Sequence, residues 1–320
     1  MDMIRVRAVC PPDLTERTMA LLGAEPCVLN LHLLTGRVRN PEGDAIQCDV
    51  LAGAANEVLR GLRDLGIEHR GSLILDPVDT VFSERATRTW AKELGARPRA
   101  PVWEQVEARI RAEGRYPPSF YLFLVIAGLI GAVGIITNSQ ILIVAAMVVG
   151  PEYGAITSVA LGIDNRSRSR ITQGLLALLV GFVLAVAATL LFALLVRGFG
   201  LQPEAFELGV RPVSNLINTP NFFSAVVAVL AGIVGIVSLA EARTSALLGV
   251  FISVTTIPAG ADIGVSVAFS SWDEAWGSLL QLLLNIVVLI VVGTGTLKCQ
   301  RAVWRRVSEH RQGHPAGRTT

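Results

Sequence analysis

The stretch SQILIVAAMVVGPEYGAITSVALGI, Ser139 to Ile163, decides the fold. It is long and apolar enough to span a bilayer, which takes roughly 20 helical residues, yet Gly150-Pro151-Glu152-Tyr153-Gly154 interrupts it at mid-length. Proline removes a backbone donor and clashes with the preceding turn. Backbone polarity freed in this way persists at membrane depth only against protein or a water-filled cavity, and a carboxylate there is costly for the same reason. A simple proline kink, with Glu152 turned toward the bundle interior, accounts for the pattern as well as a functional break does.

The composition agrees with a membrane protein. Of 320 residues, 52% are hydrophobic and 17% charged, and the apolar ones concentrate after Tyr116, where a soluble fold would spread them. A net charge of +2 implies no nucleic-acid partner. Cys10, Cys27, Cys48 and Cys299 form no CxxC pair and have no histidine at metal spacing, so they read as free thiols in a reducing compartment. The N-terminus, MDMIRVRAVCPPD, lacks the apolar core of a signal peptide.

Residues 1–78 predict a small soluble domain of the ferredoxin-like α+β class. Met3 to Val9 alternates as a strand, Pro11-Pro12-Asp13 opens a helix to about Leu22, and CVLNLHLL (27–34) and residues 45–51 give two more strands around a turn at 40–43. A helix over 54–65 and a last strand over 71–75 complete the order β-α-β-β-α-β. Such domains bind a small molecule or nucleotide, or pair with their own copies. His32 and His69 stand singly and read as ordinary surface or core residues; no metal or other cofactor is expected. Residues 79–119 read as a helical linker. Its second helix, VWEQVEARIRAEG, carries an apolar stripe at Trp103, Val106 and Ile110 beside Arg109, Arg111 and Arg115, the pattern of a helix lying in the lipid headgroups or packed on the soluble domain.

Residues 120–298 predict six spans, at about 120–137, 140–163, 171–196, 222–239, 245–270 and 279–297, followed by a basic, disordered tail over 299–320. Arg166, Arg168 and Arg170 lie between spans two and three, and Lys298, Arg301, Arg305 and Arg306 follow span six. These charges put both termini on the cytoplasmic side. Arg197 and Arg211 dissent, in the longer outer connection. Trp272 and Trp276 suit the membrane interface.

The two halves share an order of features. AGLIG (127–131) and AGIVG (231–235) are each followed by a short polar turn, which contains Asn138 in the first half, and then by a span with a central break. The breaks are GPEYGA (150–155) and IPAGAD (257–262). Three spans per unit force the second copy upside down relative to the first, and inverted repeats with broken helices mark secondary transporters and some channels. Close helix packing alone would explain the glycines, but not two mid-span prolines.

The run NSQILIVAAMVVGPEYGAITSVALGI, the TPN at 219–221 and SALLGVFISVTTIPAGADIGVSVAF together resemble the uncharacterised prokaryotic membrane family known as domain of unknown function 389, over about 120–297. The resemblance implies a variable soluble region ahead of the spans and the prokaryotic cytoplasmic membrane as location; it implies little about activity. Two departures are Glu152, where the family pattern leads one to expect an apolar residue, and Pro258-Ala259 in place of a double proline.

No GxSxG, HExxH, Walker A or GxGxxG motif is present and no histidine lies in a span, so an enzyme is not expected. The leading reading is a transporter or channel for a small solute or ion, working as a homo-oligomer, dimer or trimer, in the lipid bilayer. The alternative is a membrane-anchored sensor whose soluble domain binds a metabolite or nucleotide. The expected pathway residues are Gly150, Pro151, Glu152, Gly154, Pro258, Gly260, Asp262 and Asn138, with a cation or proton interaction at Glu152 foremost and Asp262 second.

Overall fold

The computed structural model describes residues 3–78, 81–94, 103–209, 211–241, 249–250, 252 and 254–312. The chain divides into two compact units, Met1–Val106 and Glu107–Thr320.

In the first unit the order is β1 (Met3–Cys10), α1 (Pro12–Ala24), β2 (Val28–Arg39), β3 (Glu42–Leu51), α2 (Ala55–Asp64), α3 (Ile67–Arg70), β4 (Ser72–Val78) and α4 (Glu84–Thr89). The sheet runs β2-β3-β1-β4, every neighbouring pair antiparallel. Strand alternation builds its buried face: Ile4, Val6 and Ala8 of β1 stand opposite Val50, Cys48 and Ile46 of β3, and Leu14, Leu22, Val58, Leu59 and Leu62 from the helices close the same core. Cys10, Cys27 and Cys48 are buried in it, and burial pushes the Cys48 thiol up to about 12. Asp44 accepts from the Thr15 hydroxyl at 2.6 Å and the Gly36 amide at 2.7 Å, bonds that hold its carboxyl below the usual range. The first helix of the linker region is α-helical to Thr89 and widens into a π-helical turn over Trp90–Leu94.

A further helix, α5 (Trp103–Glu113), leads to α6 (Pro118–Ile136), α7 (Gln140–Val149), α8 (Glu152–Asp164) and α9 (Arg168–Gly198). Two short helices follow, α10 (Glu204–Glu207) and α11 (Pro212–Ile217), then α12 (Phe222–Ala240), α13 (Thr256–Ala268) and α14 (Trp272–Gln312). Among the described residues α6, α9, α12 and α14 are each long and apolar enough to cross a membrane, and the pair α7–α8, bent by 49° at Gly150-Pro151, makes a fifth candidate if counted as one span. Exposed Leu176, Leu179, Val183, Leu191, Leu230 and Val291 give these helices the apolar outer surface that a bilayer requires. The expected span over 245–270 falls partly outside the described residues; of those described, 249–250 and 252 are helical, and α13 follows the non-helical pair Val254-Thr255. Pro258 therefore lies inside the first turn of α13, where a proline costs no helical hydrogen bond, and is not itself the interruption. Residues 299–312 are helical in place of the disordered tail expected there, because Gln, Arg and Ala sustain a helix well.

Element bounds recur at a fixed displacement. Phe222 follows Pro118, Thr256 follows Glu152 and Trp272 follows Arg168, each by 104 residues, and α12 and α13 match α6 and α8 in length. Both half-helices end alike. Arg166 (φ 54°) and Ser270 (φ 63°) take the left-handed conformation, and the next amide, Ser167 or Ser271, bonds back to Gly162 or Ser266 at 2.8 Å, an αL helix stop.

Packing follows the same displacement. A Cβ at Gly128 would lie 3.2 Å from Thr189 of α9, and one at Gly232 would lie 3.0 Å from Val292 of α14. Gly131 meets Ala261 of α13, whereas Gly235 meets Tyr153 of α8. AGLIG and AGIVG are thus the places where each half's first helix admits the broken helix of the other half.

Candidate functional site

Pro151 cannot donate to the α7 ladder, so α7 stops at Gly150 and α8 starts afresh at Glu152. This puts the Glu152 carboxylate in the first turn of α8, where the helix N-terminus favours negative charge. The side chain is buried, and its Oε1 accepts from the Thr256 hydroxyl at 2.7 Å. Thr256 opens α13. The two breaks therefore meet, with Gly150 beside Ile257, so close that a Cβ there would also collide with Glu152 Oε2. That Oε2 is buried and has no hydrogen-bond partner among the described residues.

Asp262, in the second turn of α13, is fully buried. Its two oxygens accept from Ser214 of α11 at 2.7 Å and Ser278 of α14 at 2.6 Å. From Ser278 the polar line continues along one face of α14, because Glu274, Ser278, Gln281 and Asn285 fall at i, i+4, i+7 and i+11. Gln281 donates to Asn285 Oδ1 at 3.2 Å, and Asn285 donates to Thr255 at 3.0 Å, one residue before the Thr256 that holds Glu152. At the other end Arg211 pairs with Glu274 at 3.0 Å, donates to Ser271 at 2.7 Å and lies over the Phe206 ring at 4.2 Å. A seam about 16 Å long, at 1.5 Å per residue, thus runs inside apolar helices from an ion pair to the meeting point of the breaks.

The remaining expected residues divide differently. Gly154 lies within α8 and packs on Glu113 of α5, and Gly260 receives the Phe182 ring of α9. Asn138 is the left-handed residue (φ 51°) that ends α6, with Ser139 bonding back to Gly134 at 2.8 Å. Sequence reasoning omits Ser214, Thr255, Thr256, Ser278, Gln281 and Asn285. The signal available for three of them is the helical spacing of polar residues through an otherwise apolar span.

Arg197, read from sequence as a stray outer charge, donates to the Ala268 carbonyl at 2.5 Å and to Ser270, closing the C-terminus of α13. Arg301, 104 residues later, reaches the end of α8 through Asp164 at 2.8 Å and Asn165 at 3.1 Å.

Residues 147–291 match the model of a family described as Domain of unknown function (DUF389). The match begins later than the resemblance seen in the sequence, inside α7, and encloses the seam with both breaks. No curated protein and no solved structure matches the chain.

Proposed function

We propose that this membrane protein is a transporter or channel for a small solute or ion and not an enzyme. One observation carries the reading: the buried seam from Asp262 through Gln281 and Asn285 to Glu152, where two broken helices meet. Ionisable groups inside spans are expensive, and function is the usual reason they are kept. The architecture we infer is six spans in two inverted three-span repeats, with both termini cytoplasmic. The displacement of 104 residues between element bounds supports the repeat. So does the exchange of neighbours: α8 packs on α9 and α14, and α13 packs on α14 and α9. Glu152 and Thr256 are themselves 104 residues apart and touch, as equivalent residues do on a twofold axis. We assign the N-terminal unit to the ferredoxin-like class, on the support of its strand order. It serves as a ligand-responsive or oligomerising module of a homo-oligomer.

The test is flux in proteoliposomes, comparing wild type with Asp262→Asn and Glu152→Gln after each is shown to fold. Ion or solute flux in wild type, reduced at least tenfold in either variant, is the expected outcome. Wild-type protein that passes no ion or small solute would hand the chain to the anchored-sensor reading.

A further inference from the structure

The meeting point of the breaks holds two buried oxygens that accept no hydrogen bond. Glu152 Oε2 and Gln281 Oε1 each lack a partner, and both residues are more than nine-tenths buried, at 7% and 3% exposure. Their side chains are tied to adjacent threonines: Thr256 donates to the other oxygen of Glu152, and Thr255 accepts from the Gln281 amide at 3.5 Å. Buried acceptors of this kind cost free energy unless something satisfies them. No donor among the described residues, neutral or cationic, reaches either oxygen. The helix break adds a carbonyl, because Met147 loses the amide that Pro151 lacks.

These ligands are all oxygens, the donor type that suits hard cations. They bring a single carboxylate. One negative charge balances one positive charge, whereas a divalent ion in so dry a place would need more. We propose that Glu152, Gln281 and Thr256 form a binding site for one dehydrated monovalent alkali cation, sodium being the probe. The proposal rests on the transport reading and names its coupling ion or cargo. The site lies at the end of the seam, so a cation reaches it past Glu274 and Asp262 and leaves when the opposite half opens. Residues at the corresponding places on α9, Gly174, Ala177 and Gly181, are packed tightly against Val159 and Leu124 and offer no such line.

The experiment is thermal unfolding of the purified full chain in detergent, at constant pH and ionic strength, in sodium, potassium, lithium or choline chloride. At least one alkali ion should raise the melting temperature by roughly 5 °C over choline, as expected of a ligand that binds only the folded state. Glu152→Gln should abolish that rise and Arg197→Ala should keep it. If Glu152→Gln does not fold, Gln281→Ala should reduce the rise by at least half. Equal melting in all four salts overturns the site; so does a rise that a pH series in choline chloride reproduces by itself, which would mean a proton on Glu152, or one that appears only in an added calcium chloride sample. A cation-dependent rise without flux keeps the site and removes the transport reading; flux with no cation dependence does the reverse.

Discussion

The half of the membrane unit from α6 to α9 and the half from α12 to α14 share their element bounds at a displacement of 104 residues, yet they differ in chemistry. On α9 the face at 170, 174, 177 and 181 reads Arg, Gly, Ala, Gly; on α14 the corresponding 274, 278, 281 and 285 read Glu, Ser, Gln, Asn. The first set lets helices approach. The second carries the seam. The element bounds correspond in both halves, while of the two long helices it is α14 that carries the line of buried polar side chains.

The largest test of this comparison is sidedness. If the halves are inverted, Ser169 and Asp273, equivalent at 104 residues and both exposed, lie on opposite faces of the membrane. In a background with the exposed Cys299 replaced by serine, Ser169→Cys should react with an impermeant maleimide only from the cytoplasmic face and Asp273→Cys only from the outer one. Labelling of both from one side would break the inversion outright.

Next comes the buried polarity of the second half. Asp262→Ala leaves the Ser214 and Ser278 hydroxyls without their acceptor, at about 1–3 kcal/mol for each buried group. The same change at the equivalent Ser158→Ala should cost less than about 1 kcal/mol, since no carboxylate is lost. Denaturant unfolding in mixed micelles measures both, and equal losses would mean that the polarity is not asymmetric in energy.

A subtler test exchanges side chains across the pseudo-axis. Gly264 of α13 fits against Thr189 of α9, while the equivalent pair is Ala160 of α8 against Gly293 of α14, 3.5 Å apart. Large meets small in both, in opposite order. Gly264→Ala should destabilise by about 1–3 kcal/mol through overpacking, and adding Thr189→Gly should recreate the other half's pairing. The double-mutant cycle should show favourable coupling of about 1 kcal/mol or more; none would mean that the two contacts are not equivalent.

Much of this frame is legible in the chain. The membrane-spanning character and the first break follow from apolar length and from Gly150-Pro151, because the hydrocarbon leaves so few structures possible, and the family resemblance rests on three sequence motifs read together. The β-α-β-β-α-β order follows from strand alternation at Ile46, Cys48 and Val50. The register between halves is harder. Matching Pro151 to Pro258 misplaces it by three residues, whereas Gly128 and Gly232 already hold the correct displacement, because close packing constrains glycine more tightly than a helix start constrains proline. The seam escapes because Ser278, Gln281 and Asn285 scatter singly through apolar sequence, and only a partner such as Asp262, from another helix, gives them meaning.

Arginine pairs refine the comparison at the smallest scale. Arg197 and Arg301 are equivalent, and each closes the half-helix of the opposite half, but their partners differ. Arg197 meets a carbonyl and a hydroxyl; Arg301 meets the carboxylates of Asp164, at 2.8 Å, and Glu107, at 2.7 Å. A cation at a helix C-terminus is worth about 0.3–1 kcal/mol, so Arg197→Ala should cost that much and show little response to salt. Arg301→Ala also strands the largely buried carboxylate of Asp164, while Glu107 keeps its pairing with Arg111 at 2.7 Å, and should cost about 1–2 kcal/mol more, an excess that shrinks as salt screens what is left unpaired. Unfolding of both variants at low and high ionic strength separates the cases. If the two losses match at every salt concentration, the arginines are interchangeable caps, and the asymmetry between the halves stops at the seam.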